Sequence, residues 1–107
     1  MTAVPLVEIA AVIRSKNAGP YELTLDVVLT TREWYERVVA ARALTAEVVA
    51  RAYRVPVEDV LHLVEVAPAA AIKATLRRPL VCGDPGETDV YGAQQHAPLL
   101  ALVLDLP

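Results

Sequence analysis

The stretch YELTLDVVL, residues 21–29, decides the predicted fold, because apolar and polar side chains alternate along nearly all of it. A period of two is typical of a strand that buries one face and leaves the other in water. The apolar side consists of Tyr21, Leu23, Leu25, Val27 and Leu29, and the other side includes Glu22, Thr24 and Asp26. The sequence therefore predicts a half-buried strand whose apolar face other elements must cover.

Two helices are predicted directly after this strand. Thr30 stands three residues ahead of Glu33, a capping-box spacing that predicts a helix over about residues 31–41. Thr45 gives a second start signal, and the apolar residues that follow it at helical spacing continue until the region of Pro56. The middle of the chain is therefore predicted to be helical.

Three later segments are predicted as strands. DVLHLVEV, residues 59–66, is apolar on both alternating faces apart from His62 and Glu65, which favours a position near the centre of a sheet. AIKATLRR, residues 71–78, follows a bend at a proline and carries its polar residues on one face. LLALVLDL, residues 99–106, is short and almost continuously apolar, so we expect a buried strand there.

The order of these elements predicts the fold class. The opening segment LVEIAAVIRS, residues 6–15, fits a helix or a strand, and its β-branched residues favour the strand. Strands, then helices, then strands again, without a regular βα repeat, indicate an α+β sandwich with two helices on one face of a mostly antiparallel sheet. All 107 residues, 1–107, are expected to form a single domain.

Composition and charge argue against several classes of function. A formal net charge of -3 provides no general attraction for nucleic-acid phosphates. No apolar run approaches the roughly 20 residues that span a bilayer, and no basic segment precedes the first apolar stretch as in a secretory signal. The lone Cys82 and two histidines lack the spacing of a metal site. We therefore expect a cytoplasmic protein without a metal or cofactor that binds neither nucleic acid nor membranes.

Candidate binding residues occur in RSKNAGP, residues 14–20, which joins the opening segment to the strand at 21–29. Arg14 and Lys16, together with the backbone amides of a turn, provide the groups that cradle a carboxylate or phosphate. A tight loop whose polar groups satisfy one another explains the same residues. Lys73 is a further candidate, because it shares a mixed-charge face with residues 22–26 if the two strands are neighbours.

Candidate catalytic residues occur in residues 79–98, a connection that is long for a structureless loop in a compact domain. His96 is the candidate general acid or base, Asp89 or Glu87 can orient its imidazole, and Tyr91 adds a hydroxyl. The alternative is a structural role in which Gln94 and Gln95, with His96, lock the loop onto the sheet. Both interpretations stay open at this point.

Three stretches carry a resemblance to a known family: VIRSKNAGPYELTLDV at 12–27, AIKATLRRP at 71–79 and GDPGETDVYGAQQHAPLL at 83–100. Through them nearly the whole chain resembles a small bacterial family of domains of unknown function found beside or fused to acyclic terpene utilisation proteins of the AtuA type. The chain is also similar to the ferredoxin-like domain that ends AtuA-type proteins. IRSKNAG, at 13–19, stands where that domain has a turn with an acidic residue, which is missing here.

The resemblance implies a ferredoxin-like sandwich and an AtuA-type partner in the breakdown of branched or unsaturated acids, often as coenzyme A thioesters. The matched positions form the candidate site: Ser15, Lys16, Asn17, Gly19, Tyr21, Glu22, Lys73, Asp89, Tyr91, Gln94 and His96. An accessory subunit docking on that partner is the first hypothesis. A lyase or hydratase using His96, and a homo-oligomeric module that binds a small anion, are the alternatives.

Overall fold

The computed structural model describes residues 2–17, 22–77 and 97–106. Six strands and four α-helices occur in these ranges. The strands are β1 (Thr2–Pro5), β2 (Ala10–Asn17), β3 (Glu22–Leu29), β4 (Val60–Val66), β5 (Ala71–Arg77) and β6 (Val103–Leu106). The helices are α1 (Leu6–Ile9), α2 (Arg32–Ala40), α3 (Ala46–Tyr53) and α4 (Ala97–Leu100), and short 3-10 helices at Val57–Asp59 and Ala67–Ala69 flank β4.

The main sheet has the strand order β2-β3-β5-β4, and every neighbouring pair in it is antiparallel. β1 and β6 form a separate antiparallel ribbon. Helices α2 and α3 follow one another between β3 and β4. The predicted α+β class with antiparallel sheets is confirmed, and the layers are compatible with a ferredoxin-like sandwich.

One hydrophobic core lies between the main sheet and the layer that covers it. Leu25 of β3 and Ile72 of β5 share this core with Val38 of α2, Val49 of α3 and Leu104 of β6. Along β3, buried and half-buried residues alternate without a break, as the period of two predicts. The helices and the ribbon therefore cover one face of the sheet, and its other face carries the polar residues.

Threonine side chains cap both long helices. The hydroxyl oxygen of Thr31 accepts a hydrogen bond from the amide of Trp34, and that of Thr45 accepts one from the amide of Val48. The first of these caps corrects the sequence interpretation, which assigned the capping box to Thr30. The helix itself lies where it was predicted.

Three other predictions about segments need correction. β4 lies at an edge of the main sheet, although its apolar sequence suggested the centre. The segment 99–106 is divided, because α4 ends at Leu100 and only Val103–Leu106 is a strand. The opening segment contains both predicted alternatives, the helix at Leu6–Ile9 and then the long strand β2. In the last two segments, short apolar runs fit a helix or a strand, and tertiary packing decides between them. For β4 the strand itself was predicted correctly, but apolar composition does not distinguish an edge from a central position.

The turn between β4 and β5 contains a left-handed residue, Ala70, whose replacement should change the stability of the fold. Ala70 has φ 51° and ψ 43°, the left-handed region that favours glycine, while its carbonyl accepts the amide of Leu29. We expect Ala70→Gly to raise the free energy of unfolding by roughly 0.5 to 1 kcal/mol, because the Cβ strain disappears. Chemical denaturation measures this gain, and Ala69→Gly, outside that conformation, is the matched control. A loss of stability in Ala70→Gly would contradict it.

Candidate functional site

Most of the predicted binding residues that the structure describes lie on the face of the main sheet opposite the helices. Antiparallel pairing sets Asp26 opposite Lys73 and Glu22 opposite Arg77. Residues paired in this way point to the same side of a sheet. β3 and β5 are thus neighbours, and the mixed-charge face expected around Lys73 is present.

Strands β2 and β4 extend this face to both edges of the sheet. Lys16 of β2 pairs with Thr24, Thr24 pairs with Thr75, and Thr75 pairs with His62 of β4. These four side chains form a row across the sheet that covers three strand spacings, or about 14 Å. The row carries a cation at one end, two hydroxyls in the middle and an imidazole at the other end.

The polar part of this face has an excess of positive charge, although the whole chain carries a net charge of -3. Its two carboxylates are Glu22 and Asp26. Its four cations are Arg14, Lys16, Lys73 and Arg77. The face therefore attracts anionic groups, although the net charge of the whole chain is negative.

Two of the four cations are held by carboxylates. The Nε atom of Arg14 lies 3.0 Å from Oδ2 of Asp26, and Nε of Arg77 lies 3.7 Å from Oδ1 of Asp59. The ammonium groups of Lys16 and Lys73 have no ion pair within the described part of the chain. Both lysines are exposed, so their ammonium groups can contact an external anion.

One end of the same face is apolar. An apolar row crosses all four strands beside the charged residues, and it consists of Val12, Val28, Ala71 and Val66. Val12 is 38% exposed, and the neighbouring Val64 on β4 is 50% exposed. The face thus combines an apolar strip with a cationic area, and we call the whole surface, from this strip to Glu22 and Arg77, the open face.

The structure separates some residues that the sequence analysis grouped together. Residues 14–17 belong to β2 and pair with β3, so they are not part of the predicted turn. Ser15 pairs with Leu25 and is buried on the core side, opposite to Arg14 and Lys16. Strand alternation makes this separation unavoidable.

Several predicted site residues lie outside the described residues: Gly19, Tyr21, Asp89, Tyr91, Gln94, Gln95 and His96. Asn17 ends β2. The open face adds His62, which the sequence analysis treated as part of a buried central strand. A signal was present, because the register of a β4-β5 hairpin around Pro68 sets His62 beside the polar face of β5.

Three further observations on the described residues concern metal binding, membrane-spanning helices and the hydroxyl of Tyr53. Within residues 2–17, 22–77 and 97–106, no group of three or more His, Cys, Asp or Glu residues is arranged to hold a metal ion. None of the helices in these ranges is long and apolar enough to cross a membrane. Burial raises the pKa of the Tyr53 phenol above its usual value, so this hydroxyl stays protonated at neutral pH.

Comparison with known proteins gives one match. A family described as a domain of unknown function (DUF4387) matches residues 6–103, which include the main sheet and both long helices. No curated protein and no solved structure matches the chain.

Proposed function

The chain belongs to the DUF4387 family of domains of unknown function, and from this premise we propose that it is an accessory domain that docks on an AtuA-type protein through the open face. In the complex it helps to form a site for a carboxylate or acyl-CoA substrate in the catabolism of branched or unsaturated acids. The observation that carries this proposal is the pair of exposed lysines, Lys16 and Lys73, which lie on one side of a four-stranded sheet and form no salt bridge with any described residue.

The chemistry of the open face suits such a role. Its cationic area can bind the carboxylate of a substrate, the phosphates of coenzyme A or acidic residues of the partner. Its apolar strip, centred on Val28 and Ala71, supplies the surface that a stable interface buries at its centre. Polar and apolar contacts are thus available on one continuous surface.

The two edges of the main sheet are poor alternatives for docking. Register shifts between Ala10 and Val12 in β2 and between Val60 and His62 in β4 interrupt the edge strands. Glu65 of β4 pairs with Ile72 and so places a charge on the core side of an edge strand. Bulges and inward-pointing charges are devices that prevent edge-to-edge pairing. A partner is therefore expected at the face of the sheet.

The choice of partner rests on the sequence resemblance of residues 12–27 and 71–79, which supply β2, β3 and β5. These strands carry the charged residues of the open face. The resemblance and the charged surface therefore concern the same part of the molecule.

Co-expression with an AtuA-type protein, followed by size exclusion with light scattering, tests the proposal. We expect a mixed complex at micromolar concentration that dissociates as the salt concentration rises, because screening weakens contacts between charged surfaces. A chain that elutes without the partner at low salt would overturn the docking role. If it eluted as a homo-oligomer, the anion-binding module would become the better hypothesis.

A further inference from the structure

A recess lies in the layer that covers the core side of the sheet. The turn after α2, one side of α3 and strand β6 enclose a cleft of about 360 Å³. Its apolar wall includes Ala43, Ala52 and Leu102. This volume lies within the range of small-molecule sites, which combine apolar walls with a few polar groups.

Two arginines supply the polar groups of this cleft. Arg42 comes from the turn between α2 and α3, and Arg51 comes from α3. Neither guanidinium has an ion pair within the described ranges, and both residues are exposed. Asp105 of β6 lines the same cleft, which leaves one positive charge in excess. Arginine presents a planar pair of donors that matches carboxylate and phosphate oxygens.

The backbone at Arg42 is a second, independent observation. Arg42 has φ 52°, in the left-handed region where glycine is the usual residue after a helix. Arg54 has φ 56° at the end of α3, so two of the arginines that the structure describes are in this unfavourable conformation. Arg42 lines the cleft and Arg54 does not. Strained residues often serve a binding site, and Arg54 provides the control for strain alone.

We propose that this cleft binds a small oxyanion, a carboxylate or a phosphate, between the guanidinium groups of Arg42 and Arg51. Asp105, which lines the same cleft, can accept a hydrogen bond from a hydroxyl where the bound molecule carries one. The cleft and the open face lie on opposite sides of the sheet, so this inference does not depend on the proposed docking role.

Titration of the full chain with inorganic phosphate and, separately, with succinate tests the proposal, with backbone amide shifts recorded by NMR. We expect the shifts to concentrate at residues 41–43, 51–52 and 102–105 for at least one of the two anions. Phosphate and succinate distinguish the two ligand chemistries. Shifts confined to the open face around Lys16 and Lys73, or no shifts with either anion, would overturn the proposal.

Two glycine variants separate binding from stability. Arg42→Gly and Arg54→Gly both remove a left-handed arginine, so we expect both to raise the melting temperature. Arg42→Gly should weaken anion binding by about tenfold or more, because a charge-assisted bidentate contact is lost. Arg54→Gly should bind as the unmodified chain does. Arg51→Gln removes the second guanidinium and leaves the turn unchanged. If the Arg42→Gly variant, the Arg51→Gln variant and the unmodified chain bound the anion equally well, the proposed site would be refuted.

Discussion

Replacing both Lys16 and Lys73 by glutamate is expected to lower the affinity for the AtuA-type partner by about a hundredfold or more. The open face carries four cations and two carboxylates, and the double substitution inverts these numbers. A surface that attracted anionic groups would then repel them, and like charges facing each other across an interface cost several kcal/mol. Titration calorimetry or light scattering of the mixed proteins measures the loss.

The folded structure should survive this double substitution. Both lysines are exposed and make no ion pair with other described residues, so their replacement removes no salt bridge of the sheet. The new carboxylate opposite Asp26 costs about 1 kcal/mol or less. The matched control replaces Arg51 and Arg54 together by glutamate, because it makes the same change in net charge at the exposed end of α3, away from the open face. If the control lost as much affinity for the partner as the lysine variant, net charge alone would govern association. If the lysine variant kept its affinity, the open face would be eliminated as the docking surface.

The alternation in residues 22–29 was sufficient to predict β3 and its polar face. The same reasoning predicted β5 and its polar face, whereas the register that sets Asp26 opposite Lys73 is known from the structure alone. Local hydrophobic periods report which side of an element is buried. These periods do not report which strand lies at the edge of the sheet. The apolar sequence of β4 fits an edge strand with one partly covered face as well as it fits a central strand.

For the functional residues too, the sequence predicts local features but not contacts between distant segments. The residue types of Arg14 and Lys16 are sufficient to predict anion-binding groups. The turn predicted for them is a strand, in which they alternate with the buried Ser15. The cleft at Arg42 was not predictable, because β6 approaches the α2–α3 turn from more than fifty residues away. No sequence pattern within either segment records that contact.

A further large effect is expected in the core, where Leu25→Ala should lower the free energy of unfolding by about 3 to 5 kcal/mol. Leu25 is 1% exposed and lies in β3, between Ser15 of β2 and Ala74 of β5. Both flanking side chains are small, so they cannot fill the space that a truncated leucine leaves. Leu25 also borders a small internal cavity of about 10 Å³, which the substitution would enlarge.

The matched control for this experiment is Val28→Ala, which truncates a half-buried side chain of the same strand on the open face. We expect it to cost less than about 1 kcal/mol, because water already reaches that surface. Trp34, the sole tryptophan, reports unfolding by fluorescence, since the guanidinium carbon of Arg37 lies 4.5 Å from its ring centre in the folded chain. Similar losses in Leu25→Ala and Val28→Ala would mean that both faces of β3 are covered in solution, which would also rule out an open face available for docking.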